Sequence, residues 1–252
     1  MGASMSFFQD YDFRLAIEKG EVPGHSFRRI VAKNPASQTN VAREDVWGGS
    51  GNLVWATAPE TLEIVSDSAN DNAAGTGAQI ALVETLDASL STQNIIVPLN
   101  GLTPVVLAGT HLRVNGLVIV SAGSSTTNEG TVTVQVSGGG NVRKVALPGI
   151  SAAQDCHYTT PANTTLYTQQ VITVVPGNEN ASFITKLKQF QNPNFVEYVG
   201  VEFPIYQNTI VFPTLAPFRS DAGTDFTVQT LTGNINTEIN YVVEAILIED
   251  GF

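Results

Sequence analysis

Three histidines, one cysteine and a few clustered carboxylates are the residues from which this chain could build a reaction centre or a metal site. His25, His111 and His157 stand far apart in the sequence, and none falls in the His-x-x-x-His or His-Glu-x-x-His spacing that sets two ligands on one helix face. Cys156 is the sole cysteine, which excludes an intrachain disulfide and every two-cysteine metal or redox motif. It adjoins His157, but neighbouring strand residues point to opposite faces, so thiol and imidazole are not expected to meet and a buried structural cysteine is expected instead. Asp67, Asn70, Asp71 and Asn72 crowd one segment with oxygens suited to calcium. The glycine and terminal glutamate of an EF-hand loop are missing at the required offsets, so the segment reads as an Asx-rich turn. The glycine clusters at 48–51, 75–77 and 138–140 lack the Lys-Ser/Thr of a phosphate loop and read as turns. No Gly-x-Ser-x-Gly elbow occurs, and nothing marks the adjacent Glu249 and Asp250 as a general acid and base. The expectation is a non-enzyme with no catalytic residue, metal or cofactor.

The residues singled out are therefore contact residues. Trp47 and Trp55 flank the 48–51 glycine cluster and offer either a stacking platform for sugar rings or packing at an interface. Residues 1–43 hold six of the twelve basic residues, Arg14, Lys19, Arg28, Arg29, Lys33 and Arg43, against four acidic ones, and the other 209 residues carry a net charge of −13 within a total of −11. An acidic body repels phosphates and anionic membrane, so neither nucleic acid nor membrane is expected as a partner. Arg14, Arg28, Arg29, Lys33 and Arg43 are the candidates for an assembly arm that meets an acidic protein surface. Charged residues make up 14% of the chain, below the ~25% usual in soluble domains, so much of the polar surface must be Thr, Ser, Asn, Gln and Gly. No apolar run reaches the ~18 residues of a membrane span. Met1 to Phe13 lacks the basic stretch and apolar run of a secretory signal, so the sequons at Asn163 and Asn180 read as chance matches, as does the myristoylation pattern from Met1 to Ser6.

The elements that must position these residues are short. Residues 6–19 fit either a helix, with Ser6 and Gln9 as a capping box, or a strand in which Phe13, Leu15 and Ile17 alternate. From Glu21 to Ser50 the turn signals Val22-Pro23-Gly24 and Asn34-Pro35, without sustained periodicity, predict an extended arm. Beyond Gly51, β-branched runs separated by turn clusters every ~8–12 residues predict an all-β fold. Strands are expected at 61–65, 79–86, 94–99, 103–107, 112–114, 117–120 and 131–136, with Asn100-Gly101 and Asn115-Gly116 as hairpin turns. Residues 142–150 read as a connection hinged at Pro148-Gly149. Further strands are expected at 166–175, 181–190, 195–203, 209–212, 225–231 and 239–248, the last of them central and buried on both faces. The resulting organisation is an antiparallel β-sandwich, jelly-roll-like, in two domains: an N-terminal arm over 1–50, one sandwich over 51–147 and a second over 148–252.

Five stretches carry a likeness: Gly20-Glu21-Val22-Pro23-Gly24, Glu44-Asp45-Val46-Trp47-Gly48-Gly49, the run from Ser66 through Asn70-Asp71-Asn72-Ala73-Ala74 to Gly77, Leu99-Asn100-Gly101-Leu102-Thr103-Pro104, and Leu112-Arg113-Val114-Asn115 through Val120-Ser121-Ala122-Gly123. Over roughly residues 20–136 the chain resembles virion structural proteins of tailed double-stranded DNA bacteriophages, a group that includes head decoration, head-fibre and tail-accessory proteins. The resemblance implies a viral structural protein made in the host cytoplasm and carried on the particle exterior. Its partners would be further copies of itself, in a closed homo-oligomer such as a trimer, and other virion proteins such as the major capsid or tail proteins. Capsid decoration is favoured over a neck or tail position. The alternative is a host-glycan-binding receptor-recognition module of a tail or head fibre, working through Trp47 and Trp55.

Overall fold

Runs such as Thr-Val-Thr-Val-Gln-Val at 131–136 place a branched side chain on every second residue, which suits a pleated surface buried on one side. The computed structural model describes residues 9–38, 40–49, 51–175, 180–189, 198–206 and 209–252. Among the described residues one helix, α1 (Gln9–Glu18), precedes sixteen strands. These are β1 (His25–Asn34), β2 (Glu44–Asp45), β3 (Leu62–Ser66), β4 (Ala78–Leu86), β5 (Thr92–Pro98), β6 (Val105–Val106), β7 (Arg113–Ala122), β8 (Val132–Val136), β9 (Val142–Ala146), β10 (Tyr158–Thr159), β11 (Thr164–Val174), β12 (Asn180–Gln189), β13 (Tyr198–Tyr206), β14 (Thr209–Ser220), β15 (Thr224–Thr232) and β16 (Ile239–Glu249). The fold is all-β, and its paired strands run antiparallel. Among the described residues no helix is long and apolar enough to cross a membrane.

The strands form four sheets, ordered β6-β3-β8-β9, β5-β4-β7, β1-β16-β11-β14 and β10-β15-β12-β13, with β2 paired to β15. Two large apolar cores lie among the described residues, beside a small cluster of Leu86, Leu90 and Leu112. The first gathers Leu62, Ile64, Ala81, Val83, Leu117, Val132 and Val134 from β3, β4, β7 and β8. The second gathers Ile30, Leu166, Phe183, Val228, Tyr241 and Val243 from β1, β11, β12, β15 and β16, with Phe183 and Tyr241 stacked at 5.7 Å. β16 lies between β1 and β11, so it is central as its sequence predicts. Its second face, Val242, Glu244 and Ile248, is half-buried rather than closed over.

Three sequence expectations need correction, and the choice left open at residues 6–19 is decided. Residues 25–34 are not an extended arm: they pair along their whole length with β16, from His25 opposite Ile248 to Asn34 opposite Ile239. The alternation of Ile30 and Ala32, both buried, had been hidden by the charged residues Arg28, Arg29 and Lys33 on either side of them. Residues 6–19 resolve to helix over Gln9–Glu18, ending at Gly20 with φ +71°, while Ser6 lies outside the described residues. Neither Asn-Gly pair makes a hairpin. After Asn100-Gly101 the chain leaves the sheet of β5 and pairs with β3 as β6, because the backbone of Gly101 bonds to the loop at Asp71 and Ser66 instead.

Asn115-Gly116 sits within the single long strand β7. The register between β4 and β7 slips there, Glu84 facing Gly116 and Thr85 facing Val114, which makes Asn115 the extra residue of a β-bulge. Its side-chain amide ties the bulge to β10: Nδ2 donates to the Thr159 carbonyl at 2.8 Å and Oδ1 accepts from the Thr159 N–H at 2.9 Å. The expected connection at 142–150 contains β9, which returns from β8 through Gly138 and Gly139, both at positive φ. The Glu63 carboxylate accepts both of their N–H groups. The expected strand at 195–203 begins outside the described residues. The replacement Asn115→Ala leaves two buried backbone groups of Thr159 unpaired and is expected to lower the free energy of unfolding by about 1–3 kcal/mol, read from urea denaturation. An unchanged midpoint would contradict this account of the bulge.

Candidate functional site

The two apolar cores meet across a layer of buried charge, and every long charged pair in that layer has one partner on each side. Arg113 of β7 forks onto Asp225 of β15 with both nitrogen–oxygen distances at 2.8 Å. Its remaining nitrogen donates to the carbonyls of Ala56 and Leu112. Both side chains are 3% exposed, so neither charge has water to fall back on. Lys144 of β9 donates to Asp155 Oδ1 and, at 2.8 Å, to the His157 carbonyl. Arg28 of β1 forks onto Glu84 of β4 at 2.9 and 3.0 Å, with its guanidinium 4.8 Å from the centre of the Tyr158 ring. Bidentate geometry of this kind is what lets a guanidinium be taken out of water.

His157 is enclosed by this layer. Its Nε2 lies 2.9 Å from Asp45 Oδ2, its Nδ1 lies 3.7 Å from Asp155 Oδ1, and the rings of Trp47 and Trp55 meet it edge-on at 5.1 and 5.7 Å. Asp225 meets Arg113, Asp155 meets Lys144 and Asp45 meets His157, so each of the three buried carboxylates has one cation against it when the imidazole is protonated. Burial opposes that charge, but the adjacent Cys156 sulfur and the Asp45 carboxylate more than offset it and hold the His157 pKa up at about 10. Burial also opposes ionisation of Asp45, yet its bonds to His157, the Leu53 N–H and Gln229 keep its carboxyl below the usual range. His111 is the contrast: burial lowers its pKa and outweighs the Ala108 backbone bond and the Asp87 carboxylate, which raise it, and its ring is bonded to the Thr85 hydroxyl at 3.0 Å. Chemically the layer stores charge. Asp45, Asp155 and Asp225 commit their oxygens to fixed donors, and Cys156 turns its sulfur to the Val228 carbonyl at 3.2 Å.

The residues named from sequence fall as follows. Arg28 is part of the junction. Arg29 pairs with Glu244 directly opposite on β16 at 2.8 Å, and Arg14 reaches the same carboxylate from α1 at 3.9 Å. Lys33 meets Glu238 at 3.2 Å. Arg43 precedes β2, and its carbonyl accepts from Asn52. The basic residues read as an arm for a neighbour thus largely direct their charge within the chain. Trp47 is buried, its indole N–H given to the Gly51 carbonyl at 3.0 Å. Trp55 is half-buried, with Arg113 5.2 Å from its ring centre. The two indoles therefore converge on His157 rather than form one exposed platform. In the Asx-rich segment, Asp71 is fully buried and accepts from Ser66 Oγ and from the N–H groups of Ala78, Glu129 and Gly130 at 2.6–2.9 Å. It organises a turn.

Sequence reasoning missed Arg113, Lys144, Asp155, Asp225, Asp45 and Glu84. The available signal was a charge set inside an apolar strand run, as in Leu112-Arg113-Val114 and Val142-Arg143-Lys144-Val145. Such a charge is buried only with a partner.

No protein-family model matches the chain, and no curated protein matches it. Solved structures of infectious bursal disease virus do. One, of the Gx strain, is 10% identical over 90% of this chain and 73% of its own, with a TM-score of 0.26. A VP2 subviral particle of the same virus is 10% identical over 95% of this chain and 78% of its own, with a TM-score of 0.21. Scores this low do not establish a shared fold.

Because the folded pKa of His157 lies above the ordinary value of ~6.5, its contribution to stability is complete below that pH and is lost as pH rises towards 10. Urea unfolding followed between those limits is expected to show falling stability, and His157→Gln is expected to flatten that limb. The imidazole Cε1 proton shift, read by NMR on the unaltered chain, is expected to remain that of a cation at pH 8. A neutral ring at pH 8 would contradict the buried Asp45–His157 ion pair.

Proposed function

We propose that this chain is a non-enzymatic structural component of a tailed-phage virion: an oligomeric accessory protein that decorates or stabilises the particle exterior, on the capsid in preference to the neck or tail. In this reading the two cores are two antiparallel β-sandwiches of jelly-roll type, and the partners are further copies of the chain and the major capsid or tail proteins. The observation that carries it is an apolar row turned outward across the β5-β4-β7 sheet. Ile96, Leu82 and Val118 lie opposite one another on adjacent strands. Ile96 is 71% exposed and Val118 43%, with Val120 exposed farther along β7. Contiguous apolar surface of this kind costs solubility unless another subunit covers it. The low charge content of the sequence and its likeness to virion proteins over residues 20–136 support the same reading.

Size-exclusion chromatography with light scattering tests it. The expected result is a mass that is a multiple of 26.8 kDa, reduced to the monomer by Ile96→Lys combined with Val120→Lys without loss of melting temperature, and co-sedimentation of the unaltered chain with purified particles. A wild-type chain that stays monomeric at all concentrations and ignores particles would overturn the proposal.

A further inference from the structure

β1 is an edge strand, and its open side faces a cleft. The Glu249 N–H bonds to the Gly24 carbonyl, so the even-numbered residues of β1 exchange bonds with β16, and the odd-numbered ones direct their backbone groups away from it. Lys33 shows that second direction, since its N–H donates outward to the Gln154 carbonyl at 3.2 Å. Toward the start of the strand, Phe27, Arg29 and Val31 therefore present N–H and C=O groups to a cleft of about 480 Å³, where no partner for them is found among the described residues.

The opposite wall, Ala152 to Asp155, follows Ser151, whose φ is +59°, and runs beside β7. Ser151 and Ala153 bond to Ile119 and Leu117 of β7, and Ala152 forms a bridge with Val118. Where this wall meets β1, the two are joined only at Lys33–Gln154, and the Arg28–Glu84 pair ties β1 to β4 five residues earlier, about 17 Å along the strand. Gln154 Oε1 lines the cleft buried and without a hydrogen-bond donor. An orphaned acceptor of this kind costs ~1–3 kcal/mol until a donor arrives.

We propose that this cleft is a binding site for an extended, uncharged polypeptide segment of a partner protein, which adds as a strand to the edge of β1. A strand is the ligand whose own alternating N–H and C=O groups match those of Phe27, Arg29 and Val31 and supply a donor to Gln154. The charges along the cleft are already matched, Arg28 with Glu84, Arg29 with Glu244 and Lys144 with Asp155, so a charged segment finds no uncompensated counter-ion. The apolar lining of Val31, Leu82, Val118, Ala152 and Ala153 suits small or branched side chains at alternate positions. The inference needs only the open edge and stands whether or not the chain belongs to a virion.

The probe is the capped hexapeptide acetyl-Thr-Val-Thr-Val-Gln-Val-amide, added to the full chain and followed by residue-resolved amide hydrogen exchange. Without peptide, the amides of Phe27, Arg29 and Val31 are expected to exchange rapidly beside slow neighbours at Arg28, Ile30 and Ala32, and saturating peptide is expected to slow them. Val31→Pro deletes an outward N–H that β16 does not use, a position where an edge strand tolerates proline. This variant is expected to keep its melting temperature and bind about tenfold more weakly, the worth of roughly one hydrogen bond. Unchanged exchange at all three amides on adding peptide, or undiminished binding by Val31→Pro, overturns the proposal. Protection that grows with protein concentration and needs no peptide also overturns it, by showing a second copy as the occupant. Ile96→Lys combined with Val120→Lys separates this result from oligomerisation through the outer row, because both residues lie outside the cleft lining and a monomer so obtained is expected to bind the peptide still.

Discussion

A layer of buried charge has to be neutral, and that condition shapes the centre of this molecule. Moving a single unpaired ion from water into a protein interior costs several kcal/mol, whereas a pair with good geometry and satisfied remaining donors can be retained. Arg113 with Asp225, Lys144 with Asp155 and His157 with Asp45 meet that condition as three matched pairs. Since Arg113 and Lys144 come from strands beside the first core and the carboxylates from segments beside the second, neither half can satisfy its own charges alone. The junction therefore specifies how the halves dock, in a way that greasy contact, which is tolerant of sliding, would not.

The local structure around the junction follows from the same requirement. Asn115 makes a bulge so that its amide can complete the backbone of Thr159. The tryptophans enclose His157 and keep water from the Asp45–His157 contact. Leaving the charges inside also leaves the surface poor in them. The outward faces of β4, β5 and β7 are apolar and the edge of β1 is open, so the molecule offers contact surface and backbone bonds in place of ionic handles.

Much of the strand pattern was legible in the sequence because branched residues at alternate positions need little context: Leu62–Ser66, Ala78–Leu86, Val132–Val136 and Ile239–Glu249 all lie within two residues of where alternation puts them. What misled was local chemistry that long-range pairing overrides. Asn-Gly favours a tight hairpin in isolation, but at Asn115 a partner 44 residues away took the side chain. In β1, His25, Arg28, Arg29 and Lys33 broke the apolar rhythm, and only the presence of Glu84, Glu244 and Glu238 on neighbouring segments makes those charges compatible with a strand. The junction was the least legible part, because charge complementarity between residues 112 positions apart leaves no local pattern.

The most direct test of this account is a double-mutant cycle on Arg113→Met and Asp225→Asn, with unfolding in urea followed by both tryptophan fluorescence and far-ultraviolet circular dichroism. Each single replacement is expected to cost about 3–5 kcal/mol, and the double replacement little more than either, because the second change removes a charge already left unpaired. The two probes are expected to trace one transition, since the halves share the junction. Additive costs, or separate transitions for the two halves in the wild-type chain, would contradict the claim that buried charge holds them together.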